Sequence, residues 1–541
     1  MKGLQPIKIQ KLHCAMPPSD ALWQRRDLML VAAGSGPCLR ELYYRALAQG
    51  KLPQLMLCRT TAEDYTMGSA EEKIMQSLRK AAAISGVQVV VLYLNCLDVL
   101  TRLDFDYIEQ SLSEETGVTV RCFFRGPLGK MDIRHFVPVQ KFLQSLPPEK
   151  GSIQRRLAQL PPLATDIAGV IDCLPQAEAA KVLVAPSGCQ ACLRDGDLLC
   201  DSQEQYYLDT KKQDFIYGIE ESCQEQCEAL LKERSYTSLN LISSAVASFI
   251  GFDGDWVAQA MDKENFKTRT FNMDGFNDAV YGAGCAQELL LEEEAGCYDK
   301  PAKEVLICGY SSLLCGAKQQ YAECLDYIRS LGYEPRFVGE EAGGRPALCW
   351  VVSAAGIRAA KKLNEKYAVP LLISCPVGEH ALKMWKKNVR ELCAAGKNEV
   401  RQLCIHNFDI PETDTRRLLF IGEPVQTMGL AHRLWHEGFH HVQLASLCNT
   451  PGSRKLYRLA PGADKWLILV DSLTALQDLW EDADIVFADT LLADVMQAAG
   501  VSEKQVIPLP WGVISGRRAC AAGSGALGKD IAVELEKLIN K

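Results

Sequence analysis
The 541-residue sequence predicts an α/β protein of four doubly wound, Rossmann-like domains with parallel sheets. Three observations predict it. Runs rich in Val, Ile and Leu alternate with amphipathic helical stretches nearly throughout. The segments after those runs carry Gly, Pro, Ser or Cys, where open α/β sheets place their ligands. And a segment near the start of the chain recurs about 150 positions later.

In chain order, "DLMLVAAGSG" (27–36) reads as a strand and "PCLRELYYRALAQG" (37–50) as its helix. "GVQVVVLYLNCLDVL" (86–100) reads as a buried strand running into a loop, with Asn95 and Asp98 interrupting its apolar run. "KEVLICGYSS" leads to "QQYAECLDYIRSLGY", and "RRLLFIGEP" to "MGLAHRLWHEGF". "EETGVTV" and "EKYAVP" read as helix-to-strand turns. Breaks rich in Pro or charge at 145–163, 292–304 and 405–417 divide the chain into expected domains 1–150, 151–298, 299–412 and 413–541.

The recurrence joins "LMLCRTTAEDYTMGSAEEKI" (55–74) to "QYYLDTKKQDFIYGIEESCQ" (205–224). Cys38 lies 151 positions before Cys189, Asp64 lies 150 before Asp214, and Gly68 lies 150 before Gly218. Cys96 lies 149 before Ala245, Asp104 before Asp253, and Gly126 before Gly275. So small a drift over so many residues indicates a duplicated domain. The first copy is the richer in candidate metal ligands: Cys96 faces Ala245, and nothing in the second copy matches Cys14.

A net charge of -8 excludes a general nucleic-acid surface, which needs clustered Lys and Arg. No apolar run reaches the roughly 20 residues that span a bilayer. The opening "MKGLQPIKIQKLHC" has no hydrophobic signal core, so a cytoplasmic location is expected. The 22 cysteines should then be thiols, most of them packing residues.

The ordered series "HC", "GSGPC", "EDYTMGSAEEKI", "LNCLDVL", "EETGVTV" and "RGPLG" resembles the first domain of nitrogenase component 1-type proteins. "KEVLICGYSSLLCGAKQQYAECLDYIRSLGYEPRFV" is similar to that family's second domain, and "RRLLFIGEPVQTMGLAHRLWHEGFHHVQLAS" with "VIPLPWG" to its third. The resemblance implies an oxidoreductase subunit binding an iron–sulfur cluster, of 4Fe-4S type. It would accept electrons from an ATP-dependent iron protein, for a substrate that is not legible. It places ligands at Cys14, Cys38 and Cys96, with a fourth from Asp98, Cys189 or a partner subunit. Cys192 is the other candidate that the second copy could lend, and a second component 1-like subunit is a possible partner. Soft thiolates on strand-end loops suit such a cluster independently of the resemblance. Two alternatives stay open: a non-catalytic scaffold for cluster assembly, and a cluster-free small-molecule-binding protein.

The larger nitrogenase cofactor is not implied. Its cysteine anchor would fall near Val352, and no histidine follows His441 to supply the other anchor. The chain has no G-x-x-x-x-G-K-[ST] loop, so it is not expected to bind ATP. "GSGALG" (523–528) follows no strand and reads as a loop. His432 and His436 sit one helical turn apart but without a third ligand, which favours a helix surface over a zinc site. Cys223 and Cys227 share one helix face and read as unpaired thiols.

Overall fold
Among the described residues, nineteen strands in four sheets fulfil the expected α/β class. The computed structural model describes residues 5–6, 18–124, 128–129, 136–153, 158–174, 179–186, 189, 205–211, 213–262, 266–395, 398–402, 411–460, 462–516 and 525–539. It divides into two compact units, the second of which includes 163–175 and 277–541.

In unit one, β2 (Leu28–Gly34), β3 (Leu55–Arg59), β4 (Val89–Leu94) and β5 (Thr119–Phe124) form a parallel sheet of order β3-β2-β4-β5. The uninterrupted apolar runs follow from burial on both faces. Leu28, Leu30 and Ala32 of β2 join one core, while Met29, Val31 and Ala33 join the other. The expected loop after β4 is a short helix, Cys96–Leu100, because Asn95 and Asp98 form a capping box there.

The second sheet of unit one repeats the order. It contains β6 (Ala179–Val184), β7 (Gln205–Tyr207), β8 (Ser238–Ser243) and β9 (Lys267–Phe271) as β7-β6-β8-β9. One strand departs from all-parallel pairing: β1 (Gln5–Pro6) lies antiparallel on the edge of β7. Local bonds recur as well. Thr61 N–H donates to Asp64 Oδ2 at 2.7 Å, and Lys211 N–H to Asp214 Oδ2 at 2.6 Å. Asp104 caps Tyr107 at 3.0 Å as Asp253 caps Trp256 at 3.0 Å. Cys223 and Cys227 are buried in this sheet's core.

Unit two holds two further parallel sheets. β10 (Glu304–Cys308), β11 (Glu334–Phe337), β12 (Leu348–Val351), β13 (Leu371–Ile373) and β14 (Val400–Gln402) run in the order β11-β10-β12-β13-β14. β15 (Leu418–Ile421), β16 (Val442–Ser446), β17 (Leu467–Leu469), β18 (Ile485–Ala488) and β19 (Gln505–Pro508) run as β17-β16-β15-β18-β19. Helices Asp166–Cys173 and Ala279–Glu293 flank the second sheet in sequence, yet they pack on each other within unit two. Both turns expected at "EETGVTV" and "EKYAVP" are left-handed helix ends, at Gly117 (φ 68°) and Ala368 (φ 55°).

Candidate functional site
In the first sheet the strand order reverses between β2 and β4, and open α/β sheets bind ligands at the carboxyl ends of such a pair. Both described cysteines of the first sheet's candidate set lie there. β2 passes through Gly34 and Ser35 into helix Gly36–Ala48, with Cys38 in its first turn. β4 passes through Asn95 into helix Cys96–Leu100. The adjacent turns are tied by Asn95 Nδ2 donating to the Ala33 carbonyl at 2.9 Å. Gly34 has φ +139°, and a Cβ there would lie 2.6 Å from Asn95 Nδ2, so only glycine allows this approach. Cys38, Cys96 and Cys189 are all half-buried thiols without a disulfide.

The second sheet has the same reversal between β6 and β8. Cys189 follows β6 and donates its N–H to the Pro186 carbonyl at 2.8 Å. Ser244 Oγ donates to the Val184 carbonyl at 3.0 Å, the place of the Asn95–Ala33 bond. The two sheet ends meet at helices Cys96–Leu100 and Ala245–Phe249. Tyr65, Leu97 and Val246 are buried in one apolar cluster there, with Cys96, Phe215, Ala245 and Phe276 packed against it. Gly36 N–H, at the start of the Cys38 helix, donates to the Gly275 carbonyl at 3.2 Å. The residues meeting at this junction are related by the sequence offset: Leu97 with Val246, Cys96 with Ala245, and Tyr65 with Phe215. Packing of this kind is isologous, the same patch being used from both sides.

Beneath Cys96 lies a buried polar network. Tyr65 OH donates to Asp98 Oδ1 at 2.8 Å and accepts from Thr60 Oγ1 at 3.1 Å. Asp98 Oδ2 accepts from Asn95 N–H and from Asn95 Nδ2, each at 2.9 Å. Burial, and then the Asp98 charge, push the Tyr65 phenol well above its ordinary value. Both Asp98 oxygens are thus engaged within the protein and the side chain is fully buried. This removes Asp98 from the candidates for a fourth ligand.

Cys14 and Cys192 lie outside the described residues. Among the described residues, no group of three or more His, Cys, Asp or Glu side chains is gathered so as to hold a metal ion. The donor types at the junction fit an iron–sulfur cluster, since thiolates are its usual ligands. Cys38, Cys96 and Cys189 are the described residues that could contribute to one.

Unit two contains two clusters that the sequence reading missed. Glu423 follows β15 and is fully buried, accepting from Ala354 N–H at 2.7 Å and Gln426 N–H at 2.9 Å. Burial raises its carboxyl to about 7. With Cys315, Gln426 and Trp511 it lines a small cavity at the strand ends. The signal available was an acid directly after a strand, in "FIGEP".

The second cluster corrects the expected helix surface at His432. That residue is 1% exposed, and His380 comes from the preceding helix to join it. Ring centroids lie 3.5 Å apart for His380 and His436, 6.0 Å for His380 and His432, and 6.3 Å for His432 and His436. Burial, then the neighbouring His380 and His436 rings, lower His432 to about 4. His380 is lowered as well, first by burial and then by His436. The unfolded chain therefore takes up the His432 proton first as pH falls. Stability present above pH 6.5 is lost progressively towards pH 4. Between pH 7.5 and pH 5 the expected loss from His432 is about 2 kcal/mol. Denaturant titrations at the two pH values should show His432→Leu losing correspondingly less stability than the parent. Equal losses would remove His432 as the cause.

No family model and no curated protein matches this chain. Solved structures do match. One, of nitrogenase Cp1 at pH 5, is 13% identical with a TM-score of 0.48, covering 72% of this chain and 91% of that one. Another, of nitrogenase Cp1 at pH 6.5, is 12% identical with a TM-score of 0.49, covering 73% and 96%. The likeness is one of fold. Among the described residues, no helix is long and apolar enough to cross a membrane.

Proposed function
We propose that this chain is a nitrogenase component 1-like oxidoreductase subunit that holds an iron–sulfur cluster at the junction of its first two sheets and accepts electrons from an ATP-dependent iron protein. The segments 1–150 and 151–298 are, on this reading, copies of one domain, followed by domains at 299–412 and 413–541. The observation that carries the reading is the placement of Cys38 and Cys96. They occupy neighbouring strand-end turns at the switch point of one sheet, where that sheet packs on its sequence-related counterpart. Cys38 and Cys96, with Cys14 and with Cys189 or Cys192, would hold the cluster. Bound there, it would store and pass single electrons. The chain's own part is to fix the thiols and to shield the site with the apolar cluster around Tyr65, Leu97 and Val246. Iron and sulfide analysis of anaerobically purified protein tests the reading, and protein free of both would end it.

The surface of unit one supports the partner. Met67 and Tyr217 are 82% and 86% exposed, and they occupy equivalent positions at an offset of 150. Tyr107 and Trp256 form a second exposed pair, at an offset of 149. Large apolar side chains exposed in related pairs suit a partner that is itself two-fold symmetric. Met67→Glu combined with Tyr217→Glu is expected to leave iron content unchanged and to lower electron transfer from a cognate iron protein at least about tenfold, as loss of interface anchors does. Unchanged transfer would place the docking surface elsewhere.

A further inference from the structure
The second sheet provides an internal control for the residues around Cys96. The turn after β4 and the turn after β8 share one backbone conformation. Asn95 has φ -101° and ψ 177°, Ser244 has φ -120° and ψ 172°, and each opens a five-residue helix. Each also bonds back to the neighbouring strand's carbonyl. Yet the second turn forms with Phe215, Ser244, Ala245 and Ala247 where the first has Tyr65, Asn95, Cys96 and Asp98. Neither a phenol nor a carboxylate is needed to fold this turn. The first sheet nonetheless buries a carboxylate completely, which is costly unless every oxygen is hydrogen-bonded. What accompanies that carboxylate is a thiol at the following helix's first position.

We propose that Tyr65, Asn95 and Asp98 are positioning residues for the Cys96 thiol. The inference rests on the reading of Cys96 as a cluster ligand. Asn95 Oδ1 accepts from Leu97 N–H at 2.6 Å and Asp98 N–H at 3.3 Å, while Asp98 Oδ2 returns to Asn95. Cys96 is therefore held between two cross-bonded residues. The Tyr65 hydroxyl then pins that box to Thr60, just beyond β3, so the turn is fixed to a second strand end. A ligating thiol must be held to within about 0.5 Å. The second turn, which carries no thiol, is tied by the hydroxyls of Ser243, Ser244 and Ser248 without a cross-bonded box.

The test uses the full chain, purified without oxygen. One variant is Tyr65→Phe, which removes a single hydroxyl. A second is Tyr65→Phe with Asn95→Ser and Asp98→Ala, keeping Cys96. A third adds Cys96→Ala and so reproduces the second sheet's residues. Thermal midpoint, iron per chain, the paramagnetic resonance spectrum of the reduced protein, and the alkylation rate of Cys96 in metal-free protein, read by mass spectrometry against Cys38, are compared. Both multiple variants are expected to fold with midpoints near the parent's. The variant keeping Cys96 should lose iron affinity by about tenfold, the usual effect of removing the groups that orient a metal ligand. Tyr65→Phe should retain iron with an altered spectrum, and Cys96 should be alkylated several-fold faster while Cys38 is unchanged. If both multiple variants fail to fold, the network is a fold element and the proposal is overturned. An unchanged spectrum and unchanged Cys96 alkylation in Tyr65→Phe overturn it as well. A parent chain without iron sinks the ligand reading instead, and the alkylation comparison then decides the positioning role alone.

Discussion

Cys38→Ala and Cys96→Ala should each strip most of the iron from anaerobically purified protein, and Cys14→Ala should do the same. Each thiolate that ligates a cluster is bonded to one iron, and its loss leaves that iron open to solvent and oxidation. Among the described residues no spare donor stands by at the Cys96 turn: both Asp98 oxygens are already hydrogen-bonded, and the equivalent position across the junction is Ala245. The control is Cys223→Ala, which removes a fully buried core thiol of the second sheet and should keep the parent's iron at some cost in stability. Iron and acid-labile sulfide per chain are the measurement. Parent-level iron in all three ligand variants would reduce these cysteines to packing residues.

Gly282→Val should strongly destabilise unit two. Helix Ala279–Glu293 and helix Asp166–Cys173 touch backbone to backbone. A Cβ on Gly282 would lie 2.0 Å from the Asp166 carbonyl oxygen, and one on Gly169 would lie 2.1 Å from the Ala279 carbonyl oxygen. Side-chain rotation cannot relieve either clash, because the opposing atoms are backbone. The helices must move apart, which strains the bonds from Thr450 and Ser453 to the helix cap, Asp278. The expected loss is about 3 kcal/mol, a fall of about 5 °C in the unfolding midpoint of a unit this size. Gly296→Ala, with nothing near its added carbon, should change the midpoint little. A Gly282→Val midpoint matching that control would refute the close contact.

The sequence by itself determined the four α/β sheets and the position of two candidate ligands. Apolar runs such as 28–33 are uninterrupted because both faces of a parallel strand are buried, and that pattern is local. Cys38 and Cys96 were legible for a similar reason: each follows a strand within a few residues, and a strand's carboxyl end fixes where the next residues emerge. The repeat was legible because the offset of 149–151 is a property of the chain alone. Only the tertiary structure decided which of these residues meet. It engaged Asp98 with Tyr65, a residue 33 positions earlier, and so withdrew it as a ligand. It brought His380 to His432 and His436 across two helices, turning an expected surface pair into a cluster in which His432 is buried. It also assigned helices 166–173 and 279–293 to the second unit, through a glycine contact between residues more than a hundred positions apart. Periodicity and turn chemistry act over a handful of residues, so they specify elements. Which side chains share a cavity or a hydrogen bond depends on how those elements pack, and burial and excluded volume settle that only once the whole unit has closed.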